Sequence, residues 1–186
     1  MRKGSPERIL HFVRHGQYVD EGPDVGKLTA LGRRQAARVA RHFKGIRVAA
    51  LRSSSMPRAM ETAAIIARAL GRRHVPRHAV LREVLPAKVP GVVVPRAKQQ
   101  RGLHQLERIV SRFFRASVRT RHEVVVCHGN LIRALLLHVA AGSPEGFYRL
   151  VIHHASVTTF SVSRRGIKIL GFNAQAHLPP KQRTFA

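Results

Sequence analysis

Residues 9–16, which read Ile-Leu-His-Phe-Val-Arg-His-Gly, place the strongest constraint on the fold of this chain. Four of the first five residues are apolar, and two of these are β-branched, which is typical of a short strand buried on both faces. The apolar run ends at Arg14 and His15, so two polar side chains are predicted at the carboxyl end of the strand. In an open α/β sheet, ligands bind at that edge. Gly16 is expected to let the backbone turn sharply beside them.

The rest of the chain alternates between predicted strands and predicted helices. This order predicts an α/β fold, a three-layer sandwich whose mostly parallel sheet has helices on both faces and an antiparallel hairpin at one edge. The length of 186 residues and the 44% apolar content fit a single domain over residues 1–186. Strands are predicted at 48–51, 79–81, 123–127, 151–162 and 167–172, and helices at 31–43, 57–70, 101–118 and 131–140.

Polar side chains follow three of the predicted parallel strands. Right-handed crossovers bring the carboxyl ends of parallel strands to one edge of a sheet. We therefore expect Arg14 and His15, the serines at 53–55 and His128 to share one pocket. Arg58 lies in the first turn of the helix that follows the serines, where its charge and the positive helix end act on the same anion.

These residue types are the ones that phosphoryl transfer requires. A phosphomonoester is dianionic, and its transfer needs fixed cations, an in-line nucleophile and a proton for the leaving oxygen. Arginine is permanently charged and binds phosphate through two N–H groups at once, so Arg14 and Arg58 are the expected cations. His15 is the candidate nucleophile, because histidine can form a covalent phosphoryl intermediate.

The other parts of the predicted site come from later in the chain. His128 is a candidate donor to the phosphoryl oxygens, and Asn130, at the start of the next helix, could supply a backbone donor. Glu83 is the candidate proton donor, because it is the one acid that directly follows a predicted short strand. That role requires burial or substrate binding to raise its pKa. With Gly16, these residues complete the predicted catalytic and substrate-binding set.

The charge of the chain is unusual. Lys and Arg total 34 against nine carboxylates, giving a formal net charge of +25. Such a field attracts acidic and phosphorylated partners. The basic residues are spread along the whole length, so any binding to nucleic acid is expected to be non-specific. No apolar run is long enough to cross a membrane, and the single cysteine, Cys127, allows no internal disulfide, which suits a reducing cytoplasm.

Together the polar segments resemble the histidine phosphatases, the phosphoglycerate-mutase-like superfamily, and within it the small mitochondrial serine/threonine phosphatases. The resemblance covers nearly the whole chain. It implies that His15 is the phosphorylated nucleophile, that Arg14, Arg58 and His128 bind the phosphate, and that Glu83 donates the proton, with no metal and no cofactor. The motifs that carry it are Arg14-His15-Gly16, residues 55–62, Leu81-Arg82-Glu83 and residues 126–130.

Two departures from the family shape the expected function. The membrane-anchoring segment of the mitochondrial relatives is absent, so a cytoplasmic location without membrane attachment is expected. Long insertions that would cover the pocket are also absent, which favours bulky substrates over a mutase reaction. The expected substrates are phosphoproteins carrying phosphoserine or phosphothreonine, with phosphohistidine or a small phosphorylated metabolite as the alternative. The sequence does not decide between a monomer and a homo-oligomer.

Two other functions fit parts of the sequence. Cys127 and Arg133 are separated by five residues after a strand, which is the spacing of cysteine phosphatases. That mechanism leaves Arg14 and His15 unused, and most of the usual glycines are missing. A basic module that binds RNA or acidic proteins through an inactive pocket would explain the charge. Hydrolysis of a phosphoester would exclude this module, whereas salt-dependent RNA binding without turnover would support it.

Overall fold

The computed structural model describes residues 6–22, 25–84 and 93–185, and within them the strands and helices alternate as the sequence predicts. The strands are β1 (Arg8–Arg14), β2 (Val48–Ser54), β3 (Arg77–His78), β4 (Arg121–Cys127), β5 (Val157–Ser163) and β6 (Gly166–Ala174). The α-helices are α1 (Ala30–His42), α2 (Pro57–Ala69), α3 (Arg96–Phe113) and α4 (Gly129–Val139), and short 3₁₀ helices cover Ala79–Leu81, Pro144–Arg149 and Pro180–Gln182.

All six strands form one sheet in the order β3-β2-β4-β1-β5-β6. The first four strands are parallel, β5 runs antiparallel to β1, and β6 pairs with β5 as an antiparallel hairpin at the edge. In the register of β1 and β4, Arg14 lies opposite Cys127. The next residues, His15 and His128, therefore leave the sheet side by side. The predicted α/β fold with a mostly parallel sheet is confirmed.

Side-chain alternation along the central strands creates two hydrophobic cores. Leu10 and Phe12 of β1 belong to one core with residues of α3 and α4, whereas Val13 belongs to the other core with residues of α1 and α2. The helices therefore cover both faces of the sheet. Because β1 and β4 are buried on both sides, each has apolar residues at consecutive positions, such as Phe12-Val13 in β1 and residues 124–126 in β4.

Capping residues, a proline and a glycine determine where the helices near the carboxyl edge of the sheet begin and end. The Thr29 side chain accepts a hydrogen bond of 3.0 Å from the amide of Gly32 and caps α1. Pro57 is the first residue of α2, where its missing N–H costs no hydrogen bond. Gly45 adopts a φ of +88° after α1, a conformation that favours glycine. These positions agree with the predicted helix boundaries.

Three predicted elements differ in the structure. Residues 79–81 form a 3₁₀ helix rather than a strand, and the strand at this edge is the two-residue β3 just before it. The third α-helix begins at Arg96 rather than at 101 and ends at Phe113 rather than at 118. The first hairpin strand begins at Val157 rather than at 151, which leaves residues 151–156 as a loop. The proline- and valine-rich segment 86–95 carries no periodicity and is predicted to be irregular, and its residues 86–92 lie outside the described residues.

The structure shows a second reason for a glycine at position 16. Gly16 does not have a positive φ. Its backbone instead packs against the first turn of α1, where a Cβ atom on residue 16 would lie 2.5 Å from the carbonyl oxygen of Gly32. A glycine is required here because the two backbones approach so closely. Within the described ranges, no helix combines the length and the apolar character needed to cross a membrane.

Candidate active site

The structure brings His15, His128, Arg14, Arg58 and Glu83 together at the carboxyl edge of the sheet. Arg14 ends β1 and His128 follows β4. Arg58 is the second residue of α2. The rings of His15 and His128 have centroids 5.1 Å apart, and Arg58 Nε lies 3.1 Å from His15 Nε2. Strands that are far apart in sequence thus deliver the predicted residues to one place.

Hydrogen bonds fix the proton on the His15 ring. An arginine can only donate, so Arg58 Nε–H donates to His15 Nε2, and that nitrogen carries a lone pair. Nδ1–H donates to the carbonyl oxygen of Gly16 at 2.9 Å. Burial lowers the pKa of His15 well below its ordinary value, and the nearby His128, Arg14 and Arg58 lower it further. His15 is therefore neutral, with Nε2 in the form that a nucleophile needs.

Arg14 is buried and held on two sides. One terminal N–H group donates to the carbonyl oxygen of Ile152, and Nη2 donates to His154 Nε2 at 3.1 Å. Both partners lie in the loop at residues 151–156. These contacts orient the guanidinium beside the helix start at Gly129, where a Cβ atom would lie 3.3 Å from Arg14 Nε.

Arg58 connects the nucleophile to the acid. Its guanidinium carbon lies 4.6 Å from the ring centroid of Tyr18, a distance at which cation and ring attract. Nη2 lies 3.7 Å from Glu83 Oε2. The tyrosine ring also packs edge-on against His15, with centroids 5.1 Å apart. Tyr18 therefore fixes both the cation and the imidazole.

His128 is fully buried and is oriented by Ser54. The Ser54 hydroxyl oxygen accepts a hydrogen bond from the amide of Met56 and lies 2.8 Å from His128 Nε2. When this hydroxyl donates its own hydrogen to Nε2, Nδ1 carries the ring hydrogen. Nδ1 lies 3.7 Å from Glu83 Oε2. Burial, together with Arg58 and Arg14, lowers the pKa of His128 well below its ordinary value, so it donates as a neutral ring.

Glu83 has the raised proton affinity that a general acid requires. Burial raises its pKa above the ordinary value, against the opposing effects of the Asn130 amide and the nearby arginines. The Asn130 amide donates to Oε1 at 2.9 Å. Although residues 79–81 are not a strand, the short turn they form still delivers Glu83 to the site.

The two residues predicted to offer backbone donors use them internally. The amide of Gly16 donates to Thr62 Oγ1 at 3.1 Å, and the amide of Asn130 donates to Glu83. The Asn130 side-chain oxygen accepts from Arg133. Gly16 and Asn130 therefore hold His15 and Glu83 in place. Their backbone amides are thus occupied within the protein, while Asn130 also lines the cavity at this edge, and substrate binding by the two residues stays a prediction.

A cavity of about 630 Å³ opens beside these residues, and it is lined by Tyr18, Arg58, Glu83 and Asn130 among others. Three buried nitrogen atoms at the centre have no hydrogen-bond partner among the described residues: Arg14 Nε, Arg58 Nη1 and His128 Nδ1. A buried donor without a partner costs about 1–3 kcal/mol. An anion with several acceptor oxygens would satisfy all three.

The same cluster has the spacing of a metal site. The ligand atoms of His15, Glu83 and His128 all lie within 4.8 Å of one another. Two permanently charged guanidinium groups stand beside them, however, and Arg58 is within 4 Å of the carboxylate. This positive field favours a tetrahedral anion over a metal cation.

Sequence reasoning missed several residues that support the site. His154, which belongs to none of the sequence motifs, is buried and accepts from Arg14. Tyr18, Thr62 and Arg133 were not singled out either. A loop histidine or tyrosine carries no sequence pattern that marks it, because only the fold brings it to the sheet edge.

The cysteine-phosphatase alternative does not fit the structure. Cys127 is fully buried, and burial raises the pKa of its thiol far above the ordinary value. Its side chain belongs to the hydrophobic core beneath α3 and α4. A reactive thiolate requires the opposite environment, one that is exposed and electropositive.

The carboxyl edge of this α/β sheet gathers two histidines, two arginines and one carboxylic acid, the set of residues that the sequence predicts for a phosphatase. The chain belongs to the histidine phosphatase superfamily (branch 1), whose family model matches residues 10–105 and 90–175. This confirms the resemblance seen in the sequence and supports the expectation of a phosphatase.

Two curated relatives illustrate the similarity of this chain to named phosphatases. The chain is 33% identical over 190 residues to the mitochondrial serine/threonine-protein phosphatase Pgam5 of Drosophila ananassae, covering 92% of this chain and 66% of that protein. It is 30% identical to Pgam5 of Caenorhabditis elegans, covering 99% and 69% of the two chains. The chain thus spans about two thirds of the length of these curated relatives.

Solved structures share the fold. Bacillus stearothermophilus YhfR superposes with a TM-score of 0.73 at 20% identity, covering 92% of this chain and 100% of that one. A mutant phosphoserine phosphatase of Entamoeba histolytica in complex with phosphoserine superposes with a TM-score of 0.70 at 19% identity, with the same coverage. At these identities the likeness concerns the fold alone.

The expected cytoplasmic location is contradicted by the comparisons. The curated relatives at about 33% identity are named mitochondrial phosphatases. The expectation came from the first residues of the sequence and from a lone cysteine, and neither feature identifies a compartment.

Proposed function

We propose that the chain hydrolyses phosphomonoesters through a covalent phosphohistidine on His15, and that its substrates are proteins carrying phosphoserine or phosphothreonine. One observation carries the chemistry. His15 Nε2 carries a lone pair that accepts from Arg58 Nε, three buried nitrogen atoms without a partner among the described residues lie in the same cluster, and the acid Glu83 has a raised pKa.

In the first step the phosphoryl group binds between the cations. Arg14, Arg58 and His128 donate hydrogen bonds to its non-bridging oxygens, where negative charge is concentrated. His15 Nε2 attacks phosphorus in line with the ester oxygen. The N–P bond forms, the P–O bond to the serine or threonine oxygen breaks, and Glu83 gives its proton to the leaving oxygen.

In the second step water replaces the protein product. The Glu83 carboxylate accepts a proton from this water while its oxygen attacks phosphorus. The N–P bond breaks and its electron pair returns to His15 Nε2. Inorganic phosphate leaves, and Glu83 is again protonated. Each group ends in its starting state, so the cycle needs no co-reactant other than water.

Two observations support a protein substrate. The relatives with about 33% identity are named serine/threonine-protein phosphatases. The net charge of +25 favours acidic surfaces over neutral ones.

A panel of phosphorylated compounds tests the proposal. Phosphoserine and phosphothreonine peptides, a phosphohistidine peptide and small phosphorylated metabolites are assayed with the wild type and with His15→Ala. We expect the acidic phosphoserine and phosphothreonine peptides to have the highest kcat/KM, and His15→Ala to be inactive on all compounds. Equal activity of His15→Ala would overturn the mechanism, whereas a preference for metabolites would overturn only the substrate class.

A further inference from the structure

A second cavity lies on the far side of the segment that joins β2 to α2. It has a volume of about 670 Å³ and is formed by the carboxyl-terminal half of α2 and the residues that lead into β3. None of its lining residues also lines the cavity beside His15. It is therefore a separate site, at the β3 edge of the sheet.

The second cavity is lined by an unusual density of cations. Four of its ten lining residues are arginines, whereas Lys and Arg together make up 34 of the 186 residues in the chain. The lining contains no Asp or Glu. The four arginines are Arg68, Arg72, Arg73 and Arg77, and His74 is a further lining residue.

Carboxylates of the described residues do not neutralise these arginines. Within the described ranges, no carboxylate forms an ion pair with any of them, whereas Arg33 is paired with Glu61 and both Arg52 and Arg121 are paired with Glu123. Arg72 donates to the carbonyl oxygen of Val48, which fixes one wall of the cavity. The other three arginines have no ion-pair partner among the described residues, so their positive charge is available to a ligand.

Most of the remaining lining is apolar, and this apolar part is called the floor of the cavity. It consists of Met60, Ala64 and Ala67 on α2 and Val75 in the following segment. An apolar floor beneath a cationic rim suits a ligand that has an apolar body and several negative charges. A phosphate ion alone would leave the floor exposed to water, and an extended polyanion would not fill a concave pocket of this size.

We propose that this cavity is a binding site for a polyphosphorylated small molecule of the nucleoside di- or triphosphate class. The base lies on the floor made by α2, and the phosphate groups bind the arginines of the rim. The volume lies within the range of pockets that enclose small molecules, about 300–1,000 Å³. This site is independent of the phosphatase activity proposed for His15.

Calorimetric titration with ATP, without divalent metal and at fixed ionic strength, tests the site. The wild type is compared with Arg68→Gln/Arg77→Gln and with a control of equal net charge, Arg164→Gln/Arg165→Gln, in the exposed β5–β6 turn at the opposite edge of the sheet. We expect the Kd for ATP to rise about tenfold or more in the first variant and less than twofold in the control. Arg73→Glu, an independent change in the rim, is expected to weaken binding similarly.

Smaller probes test the two halves of the ligand. We expect adenosine and tripolyphosphate each to bind more weakly than ATP, because each fills only one half of the cavity. Equal weakening in the control variant would overturn the proposal, since it would show an effect of net charge alone. An unchanged Kd in Arg68→Gln/Arg77→Gln, or tripolyphosphate binding as tight as ATP, would overturn it too. Because the changed side chains are exposed, hydrolysis of p-nitrophenyl phosphate is expected to stay at the wild-type level in all variants.

Discussion

In the proposed site, hydrogen bonding and burial determine the protonation states of His15 and Glu83. The Arg58 N–H leaves His15 Nε2 with a lone pair, and burial keeps that ring neutral. Burial also keeps a proton on Glu83 to a higher pH than is usual for a carboxylic acid. A neutral histidine beside a protonated acid is the starting state that phosphoryl transfer to nitrogen requires.

The variant Glu83→Gln tests whether Glu83 protonates the leaving oxygen, because two substrates with different leaving groups can be compared. Serine is a poor leaving group without a proton, whereas p-nitrophenol leaves readily as its anion. We expect kcat/KM for a phosphoserine peptide to fall about 10²- to 10⁴-fold, the usual contribution of general acid catalysis, with a much smaller loss for p-nitrophenyl phosphate. Equal losses on both substrates would show that Glu83 does not protonate the leaving oxygen.

The pH profile gives a second test of Glu83. Because its pKa is raised, the proton is present at and somewhat above the ordinary value of 4.5 and is lost as pH rises through the raised pKa. For the phosphoserine peptide, kcat/KM should therefore decline on the alkaline side in the wild type. No fall should occur on the acid side near pH 6.5, because His15 stays neutral there. In Glu83→Gln the alkaline decline should disappear; if it persists, another group is responsible.

Thr184 is a positioning residue for Arg14. Its hydroxyl oxygen lies 3.0 Å from His154 Nδ1 and accepts the ring hydrogen, which leaves Nε2 to accept from Arg14. Burial, together with Arg14, lowers the pKa of His154 to about 3, so the ring remains an acceptor. Thr184→Val removes this partner and lets the ring present a hydrogen to the guanidinium instead.

We expect Thr184→Val to raise KM for p-nitrophenyl phosphate and the inhibition constant of inorganic phosphate about three- to tenfold, the effect of one hydrogen bond. The change in kcat should be smaller. Thr184→Ser keeps the hydroxyl and should behave like the wild type. Equal behaviour of the Val and Ser variants would show that the hydroxyl does not act on Arg14.

At the level of secondary-structure elements, ion pairs as well as apolar packing join β4 to the neighbouring strands. Glu123, fully buried near the start of β4, forms ion pairs with Arg8 of β1, Arg52 of β2 and Arg121 of its own strand. Arg8 binds both carboxylate oxygens, each at 2.8 Å. This cluster lies at the opposite end of the strands from His15, so it supports the sheet without entering the chemistry.

Glu123→Gln should lower the free energy of unfolding by about 3 kcal/mol, because three arginines lose a buried partner. Urea unfolding measures this, and Glu61→Gln, at a half-exposed pair, should cost less than about 1 kcal/mol. Burial raises the pKa of Glu123, but the hydrogen bonds and charges of Arg8 and Arg52 outweigh it and lower the pKa below its ordinary value. The stability from this carboxylate is thus present above pH 4.5 and lost as pH falls through the lowered pKa. A similar cost for both variants would contradict this role.

The sequence predicted elements best where the local pattern decides the structure. The apolar runs of β1 and β4 are unambiguous because both faces of each strand are buried. Residues 79–81 were mistaken for a strand because three apolar residues fit a strand and a 3₁₀ turn equally well. The position of His154 could not be predicted, since its contact with Arg14 depends on the path of a loop through the folded molecule.

At the scale of the whole molecule, the net positive charge is the property that bears most on the choice of substrate. The +25 charge raises the local concentration of acidic partners, and salt weakens this effect. The expectation of one domain over residues 1–186 stays a prediction.

Salt dependence tests the part that net charge plays in substrate choice. We expect kcat/KM for an acidic phosphopeptide to fall as ionic strength rises from about 0.01 M to about 1 M, a range over which the screening length shrinks from about 30 Å to about 3 Å. A phosphopeptide with neutral flanking residues should show a smaller fall. The same response for both peptides would show that the surface charge does not select acidic substrates.

The most direct test of the mechanism is to trap the phosphoenzyme. The enzyme is mixed with a phosphoserine peptide, quenched within a turnover in alkaline denaturant, which preserves phosphohistidine, and mapped by mass spectrometry. We predict that the phosphoryl group is found on His15 and that His15→Ala forms no phosphoenzyme. A phosphoryl group on His128 or Cys127, or full turnover by His15→Ala, would contradict the mechanism.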